Sequence, residues 1–347
     1  MKIQDIDKNL KVDTAIDTKD IRFYKAEQLG LFGLMKTERF LRLPEDIAAK
    51  TNKGVGGLCR HTAGGRVRFV TDSEYVAISC KMPEVTRFSH MPLTGTSGFD
   101  LYVDNVFQGE FVPPVDMQDG YESIRNFGEG KLHEIMIDFP LYNSVTELYI
   151  GLQEGATVKA APDYAVKTPV VFYGSSITQG GCAARPGNSY QAILSRRLDF
   201  DYVNLGFSGS ARGEEVMAEY IAGLEMSAFV LDYDYNAPSA EHLENTHARF
   251  FDIIRSKQPE LPVLIVSKPN FRSDVANNDK RREVIRATYE RAVNAGDKNV
   301  WFLDGETLFG ECGWDSCTVD GCHPNDLGFW RMAETMLPVI ENMLKKA

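Results

Sequence analysis

No apolar run in this 347-residue chain approaches the length needed to cross a bilayer. Its first twenty residues, MKIQDIDKNLKVDTAIDTKD, mix charges where a secretory leader would carry an apolar stretch. The expectation is a cytoplasmic protein with no membrane partner. No Lys/Arg-rich stretch with interleaved aromatics occurs, and 38 basic against 49 acidic residues give a formal charge of −11. The attraction for a phosphate backbone is missing, so nucleic acid is not an expected partner. Neither G-x-G-x-x-G nor G-x4-G-K-S/T follows the apolar run at 169–173, which leaves a nucleotide fingerprint unsupported. Six cysteines (Cys59, Cys80, Cys182, Cys312, Cys317, Cys322) are too few for a disulfide scaffold. The run Cys312-x4-Cys317-x4-Cys322-His323 lacks the tight Cys-x2-Cys knuckle of structural zinc sites. No metal and no cofactor is expected; a metal-dependent hydrolase using Asp320 and His323 is the alternative.

What is present matches a folded enzyme. Hydrophobic residues at 43% and charged residues at 25% are ordinary globular usage, and the length exceeds that of one usual domain. In the first part, period-two alternation at Val76, Ile78, Cys80 and Met82, at Ile135, Ile137 and Phe139, and at Leu148, Ile150 and Leu152 predicts half-buried antiparallel strands. GVGGLC (54–59), AGG (63–65) and GTSG (95–98) read as the turns between them. A smaller β-sandwich over residues 1–160 follows. The segment EGATVKAAPDYAVKTP (154–169) reads as the connector.

Residues 166–347 follow a different pattern. Apolar runs at 169–173, 201–205, 228–233, 262–267 and 299–303 alternate with helical segments, the signature of a parallel sheet covered on both faces. Tyr190, Ile193, Leu194 and Leu198 form one helical stripe behind Asn188 or Ser189 as cap. Phe329, Met332, Ala333, Met336, Leu337, Ile340 and Leu344 form another after Asn325-Asp326, with Pro338 inside it. The fold class is α/β: a doubly wound parallel sheet preceded by an antiparallel sandwich.

In such sheets the ligand site lies beyond the carboxyl ends of the strands. Ser176 follows the run VVFY through Gly174-Ser175, where a strand-to-helix turn projects its hydroxyl into that crevice; GSSITQGG reads equally as an anion-binding nest. After the second run, Gly206 has no Cβ and lets its N–H approach a substrate; after the third, Asn236 offers a side-chain N–H. Ordinary loop roles fit both. Asp320 stands three residues before His323, a spacing that lets the carboxylate hold one ring nitrogen while the other takes a proton from a serine. A structural or metal-binding Asp-x-x-His is the competing reading. The four elements occur in order, each just after a strand or before the last helix, which favours one acyl-transfer set over four unrelated loops.

On these residues, the 170–347 region resembles the SGNH (GDSL-type) hydrolases. YGSSITQGGCAARPG (173–187) with SGFDLYVDN (97–105) is similar to the branch of that family carrying an N-terminal GxDLY sandwich. The resemblance implies a flavodoxin-like catalytic domain, a jelly-roll-like sandwich, Ser176 as nucleophile, Asp320 and His323 as the acid–base pair, and an oxyanion hole of the Ser176 N–H, Gly206 and Asn236. Ser175 stands where the common motif has Asp, and DYDYNAP (232–238) where many members have Gly-x-Asn-Asp. Neither substituted position is in the catalytic set, so the reaction type carries over while the subfamily shifts. An α/β-hydrolase is disfavoured: it uses a G-x-S-x-G elbow and places Asp and His far apart.

The resemblance further implies hydrolysis of O-acetyl or other short-acyl esters, on a small molecule or an oligosaccharide, with a short-chain lipase or thioesterase as the alternative. Trp314, in FGECGWDSC, either stacks on a pyranose ring or packs beneath its loop. Arg185, in CAARPG, either lines the pocket or pairs with a surface carboxylate. By the same resemblance, His90 and Arg87, in TRFSHMPLTG, belong to a sandwich loop covering the site. A homo-oligomer is compatible with the sequence and not required by it.

Overall fold

The computed structural model describes residues 20–345; positions 1–19 of the expected sandwich and 346–347 of the expected catalytic domain lie outside the described residues. Two antiparallel sheets make up the first part. One orders Ile21–Lys25, Glu147–Gln153, Tyr75–Lys81 and Gly120–Asn126. The other orders Val158–Ala160, Arg66–Thr71, His133–Asp138, Phe99–Val103 and Val106–Phe111, with Leu31–Phe32 beside Arg66–Thr71. The alternating residues meet between them: Val76, Ile78, Cys80, Leu148, Ile150 and Leu152 share one core with Val67, Phe69, Leu101, Ile135 and Ile137. Period-two patterning places such residues on one face of each sheet, and a sandwich buries that face.

The glycine-rich stretches behave differently from the turns expected of them. GVGGLC lies mostly in a helix, Lys53–Leu58, capped by Asn52 Oδ1, which accepts from Val55 N at 2.9 Å. Together with Glu45–Thr51 this helix leaves the sandwich: Ala48, Val55 and Cys59 join the core against Leu205, Phe207 and Met217 of the parallel-sheet part. A Cβ at Gly54 would stand 2.1 Å from Ser210 Oγ, so close approach to a distant loop, not turn geometry, selects glycine there. GTSG falls mostly in the short helix Leu93–Ser97.

The second part holds a five-stranded parallel sheet ordered Phe200–Gly206, Val166–Gly174, Ala228–Asp232, Val263–Val266, Val300–Leu303. In chain order this is 2-1-3-4-5, the flavodoxin-like arrangement. Strand alternation divides its core. Val171, Tyr173, Leu205, Leu231 and Ile265 pack with the helices Glu215–Ala222, Ala240–Lys257 and Val275–Asn294 on one face. Val170, Phe172, Val230, Leu264 and Val266 pack with Tyr190–Leu198 and Asp326–Leu344 on the other. Asn325 Oδ1 caps the last helix by accepting from Gly328 N at 3.1 Å, whereas Ser189 occupies the cap position of its helix without a side-chain bond. The predicted connector is partly strand: Val158–Ala160 extends a sandwich sheet and Val166 opens the first parallel strand.

Register lays a charged row across the outer face of the second sandwich sheet. Glu110 pairs with Asp100, Asp100 with Asp138, and Asp138 with Arg66, on four adjacent strands. Facing this row from the other part of the chain are Arg185, with Nη1 2.6 Å from Asp100 Oδ2, and Arg196, with Nη1 3.7 Å from Asp138 Oδ2. Asp201 pairs with Arg66, which is 1% exposed and also donates to Tyr164 Oη and the Tyr202 carbonyl, both at 3.1 Å. Removing one partner of a buried pair strands the other charge and costs about 3–5 kcal/mol. Asp201→Ala is therefore expected to lower the thermal unfolding midpoint measured by calorimetry. An unchanged midpoint would mean that the neutral acceptors alone satisfy Arg66.

Candidate active site

The reversal of strand order beside Val166–Gly174 opens a crevice at the carboxyl ends of the first three parallel strands, and the predicted site residues gather there. After Gly174 the chain turns at Ser175, whose Oγ accepts from Ile177 N at 3.1 Å and starts the short helix Ser176–Gln179. Side chains of this helix anchor it from below. Thr178 Oγ1 donates to Asp232 Oδ2 at 3.0 Å; Gln179 Nε2 donates to the Leu141 carbonyl at 3.0 Å, and its Oε1 accepts from Ser208 N at 3.1 Å. Asp232 is buried, and desolvation lifts its carboxyl to about 7 against the hydroxyls of Tyr190 and Thr178. Ser176 itself is 6% exposed at the crevice floor.

Asp320 and His323 sit on the loop before the last helix. Asp320 Oδ2 is 2.7 Å from His323 Nδ1, while Oδ1 accepts from the backbone N–H groups of Cys322 at 3.0 Å and His323 at 2.7 Å. Gly321, at φ +80°, gives the left-handed turn that brings carboxylate and ring together, and Asn270 Nδ2 donates to its carbonyl. The other ring nitrogen, Nε2, lies 2.9 Å from Ser176 Oγ. Desolvation would raise the Asp320 carboxyl, but the His323 and Cys322 bonds outweigh it and hold the group at about 2. For His323, burial opposes the charge and is outweighed by the neighbouring Cys322 sulfur and Asp320 carboxylate, which raise the imidazole to about 9.

The structure brings Gly206 to the crevice but commits its N–H elsewhere. Gly206 N donates to Asn204 Oδ1 at 2.9 Å, and a Cβ there would stand 2.2 Å from Gln179 N. Glycine at 206 thus lets the second strand end against the helix Ser176–Gln179, which corrects the expectation of a free N–H at that position. Gly209, three residues on, was missed. It is exposed, with φ +63° and nothing within 4 Å of a built Cβ, and among the described residues its N–H has no acceptor. Asn236 Nδ2 donates one hydrogen to the Phe207 carbonyl at 2.8 Å, leaving the second available. Its turn, Asp234–Asn236, is held by buried Asp234, which accepts from Arg281 Nε and Lys268 N, both at 2.8 Å.

The remaining candidates separate. His90 reaches the site from the sandwich: its ring centroid lies 5.6 Å from that of His323, with the Phe88 ring 6.0 Å behind it. Arg87 turns away to the carbonyls of Val115 and Met117. Arg185 binds Asp100 Oδ2 and Tyr102 Oη at 2.6 and 2.7 Å, with its guanidinium 3.8 Å from the Phe107 ring. Trp314 is half-buried against the core, with the Arg272 guanidinium 5.9 Å from its ring. Two contributors from the first part were not anticipated. Tyr142 Oη donates to the Ser176 carbonyl at 3.1 Å. Arg42, fully buried, donates to the carbonyls of Leu58, His61, Asn204 and Gly206, and desolvation lowers it to about 10. No sequence pattern flags either, because the carbonyls of Ser176, Asn204 and Gly206 that they reach lie in the other part of the chain.

Comparison with known proteins identifies the family and the two-part fold. The sequence family described as GDSL-like lipase/acylhydrolase matches residues 167–341, and the GxDLY family, described as the N-terminus of SGNH hydrolase-type esterases, matches residues 21–158. Among solved structures, one described as a GDSL-like lipase from Bacteroides ovatus superimposes with a TM-score of 0.84 at 28% identity, covering 94% of this chain and 98% of its own. The salicylyl-acyltransferase SsfX3 of a tetracycline biosynthetic pathway follows with a TM-score of 0.78 at 20% identity over the same shares. A family two carbohydrate esterase from Clostridium thermocellum, in complex with cellohexaose, superimposes with a TM-score of 0.58 at 18% identity, over 82% of this chain and 94% of its own. No curated protein sequence matches. With the family match spanning half the chain and the two-part architecture shared from end to end, the protein belongs to the GDSL-like (SGNH) lipase/acylhydrolase family and is an ester-bond hydrolase.

Proposed function

We propose that the protein is a serine esterase removing short acyl groups, acetyl above all, from sugars or oligosaccharides. The observation that carries this reading is the unbroken Ser176–His323–Asp320 contact chain at 2.9 and 2.7 Å. His323 takes the Ser176 proton as Oγ attacks the ester carbonyl, and Asp320 holds the ring and balances its charge. The oxyanion is met by the N–H groups of Ser176 and Gly209 and the free Asn236 hydrogen, with Gly209 replacing Gly206 in that role. Loss of the sugar hydroxyl leaves an acyl-enzyme, which water hydrolyses. The division at 160–166 separates a supporting sandwich from the catalytic domain, with the helices Glu45–Thr51 and Lys53–Leu58 crossing to the latter. A metal-dependent route through Asp320 and His323 is the weaker reading, since the contacts these groups make with each other and with Ser176 already suit acyl transfer.

Support for a carbohydrate substrate comes from the similarity to a carbohydrate esterase seen with cellohexaose. Support for a short acyl group comes from the wall that His90, Phe88 and Tyr142 build over the nucleophile, Phe88 lying 5.6 Å from the Tyr142 ring. A pocket accepting long chains gains about 0.8 kcal/mol per buried methylene, so rates on a lipase climb steeply with acyl length. Here kcat/KM is expected to fall from acetyl to octanoyl p-nitrophenyl esters, with acetate released from acetylated oligosaccharides. The opposite trend, with no acetate released, would overturn the deacetylase assignment and leave the Ser176 chemistry standing.

Ser176→Ala and His323→Ala should each leave folded protein with turnover reduced on the order of 10³-fold or more, because nucleophile and base act as a unit. Asn236→Ala is expected to lower kcat by about 10²-fold with KM little changed, as for a donor that acts when negative charge develops.

The raised imidazole fixes the pH dependence. Below its pKa His323 carries a proton and cannot accept one from Ser176; above it the ring is free to act. Ester hydrolysis should therefore rise with pH through an inflection near pH 9 and level off only above it. Replacing Cys322 by alanine removes a contribution that raises the ring, and should move the inflection of kcat/KM toward lower pH. An inflection that stays in place would show that Asp320 alone sets the base.

A further inference from the structure

We propose that the crevice also holds a regulatory site for a zinc-class divalent cation, formed by His90, Cys182 and His323, and that filling it switches the esterase off. The inhibitory half rests on reading His323 as the base. One ligand atom from each of the three residues lies within 4.8 Å of the other two. They converge from separate places: a sandwich loop, the turn after the nucleophile helix, and the loop before the last helix. Tetrahedral zinc takes nitrogen at about 2.0–2.1 Å and sulfur at about 2.3 Å, which sets ligand atoms about 3.4–3.7 Å apart. The atoms therefore need to close in by at most about an ångström. His90 is half-buried and loop-borne, and rotation of its ring, now 5.6 Å from the His323 ring, supplies that movement.

Each member is otherwise placed as a ligand. Asp320 keeps Nδ1 of His323, the arrangement that orients metal-bound imidazoles, so Nε2 is the atom offered. Cys182 is 5% exposed, and a left-handed backbone at φ +71° sets its Sγ 3.4 Å from the His90 carbonyl. On binding, the Cys182 thiol releases its proton to solvent as the metal–sulfur bond forms. Nε2 of His323, which faces Ser176, likewise releases its proton to solvent and gives its lone pair to the metal, so Ser176 is left without a base. The neighbouring set Asp320, Cys322 and His323 has a similar spread, but using it would pull Asp320 from the ring and backbone N–H groups it accepts from.

The test uses full-length protein stripped with EDTA. It is titrated with zinc chloride while p-nitrophenyl acetate hydrolysis is followed, and separately with cobalt(II) chloride while near-ultraviolet absorption is followed. Zinc at one equivalent per chain should inhibit, EDTA should restore activity, and cobalt should give a thiolate-to-metal charge-transfer band. Cys182→Ala should abolish the band and raise the half-inhibitory zinc concentration by about tenfold or more, read against its own metal-free rate. Cys182→Ser serves if the alanine variant does not fold, and His90→Ala should weaken inhibition to a similar degree. Cys322→Ala should keep the band. A band absent from the wild type, a band lost with Cys322 and kept without Cys182, or zinc that raises the rate would each overturn the site. The cobalt titration needs no turnover, so a protein inactive on every ester but showing the band would sink the esterase reading and leave the metal site intact.

Discussion

Arg42 is the contact on which the geometry of the crevice turns. Taking a guanidinium out of water costs several kcal/mol unless its N–H groups all find acceptors, and here the acceptors are backbone carbonyls with no carboxylate among them. Two of those carbonyls, Asn204 and Gly206, end the second parallel strand; of the other two, Leu58 ends the helix that left the sandwich and His61 follows it. One side chain therefore ties the first part of the chain to the strand end that launches the Phe207–Ser210 loop. Its position also places a positive charge beneath that loop, 4.7 Å from the Phe207 ring. That charge and the developing oxyanion have opposite sign, so the contact which orders the loop also favours what the loop is proposed to bind.

The opposed shifts of Asp320 and His323 follow from the same compactness. A three-residue loop with glycine at its turn leaves the carboxylate no partner except its own backbone and the ring, so both oxygens are used within one turn of chain. The carboxylate is stabilised as an anion and the ring as a cation, which serves a reaction in which the ring must become charged. The cost is a base largely occupied by its proton at neutral pH. Cys322 sharpens this compromise because its side chain helps to raise both the His323 ring and the Tyr235 hydroxyl.

What could be read from the sequence divides by the range of the interaction. The parallel strands, the two helical stripes and the Ile135 and Leu148 alternations were legible because their signals repeat within a few residues. Asp320 and His323 were legible because their pairing closes inside one loop. Gly206 and Gly209 were not separable: both follow the same strand, and only the Asn204 side chain and the backbone of Gln179 decide which N–H is committed. Gly54 misled for the same reason, its demand coming from Ser210 in the other part of the chain. The aromatic wall combines Phe88 and His90 with Tyr142, residues far apart in sequence whose rings meet only after the sandwich is formed.

The sandwich is thus not an appendage whose boundary can be drawn by the connector alone. Its second sheet turns a row of charges outward, and those charges are buried against the parallel-sheet part, where an apolar contact would have cost less desolvation. Burying Asp100 and Asp138 is tolerable only with Arg185 and Arg196 in place; Arg185 precedes the turn Pro186–Asn188 and Arg196 lies in the last turn of the helix Tyr190–Leu198 that follows it. The pairing fixes how the sheet sits on the catalytic part. From that seat the loop bearing Phe88 and His90 reaches over Ser176, and Leu141 and Tyr142 bond to Gln179 and Ser176 from the same side. The aromatic wall, the placement of Ser176 and the His90 arm of the crevice therefore share one structural cause: the charged interface between this sheet and the parallel-sheet part.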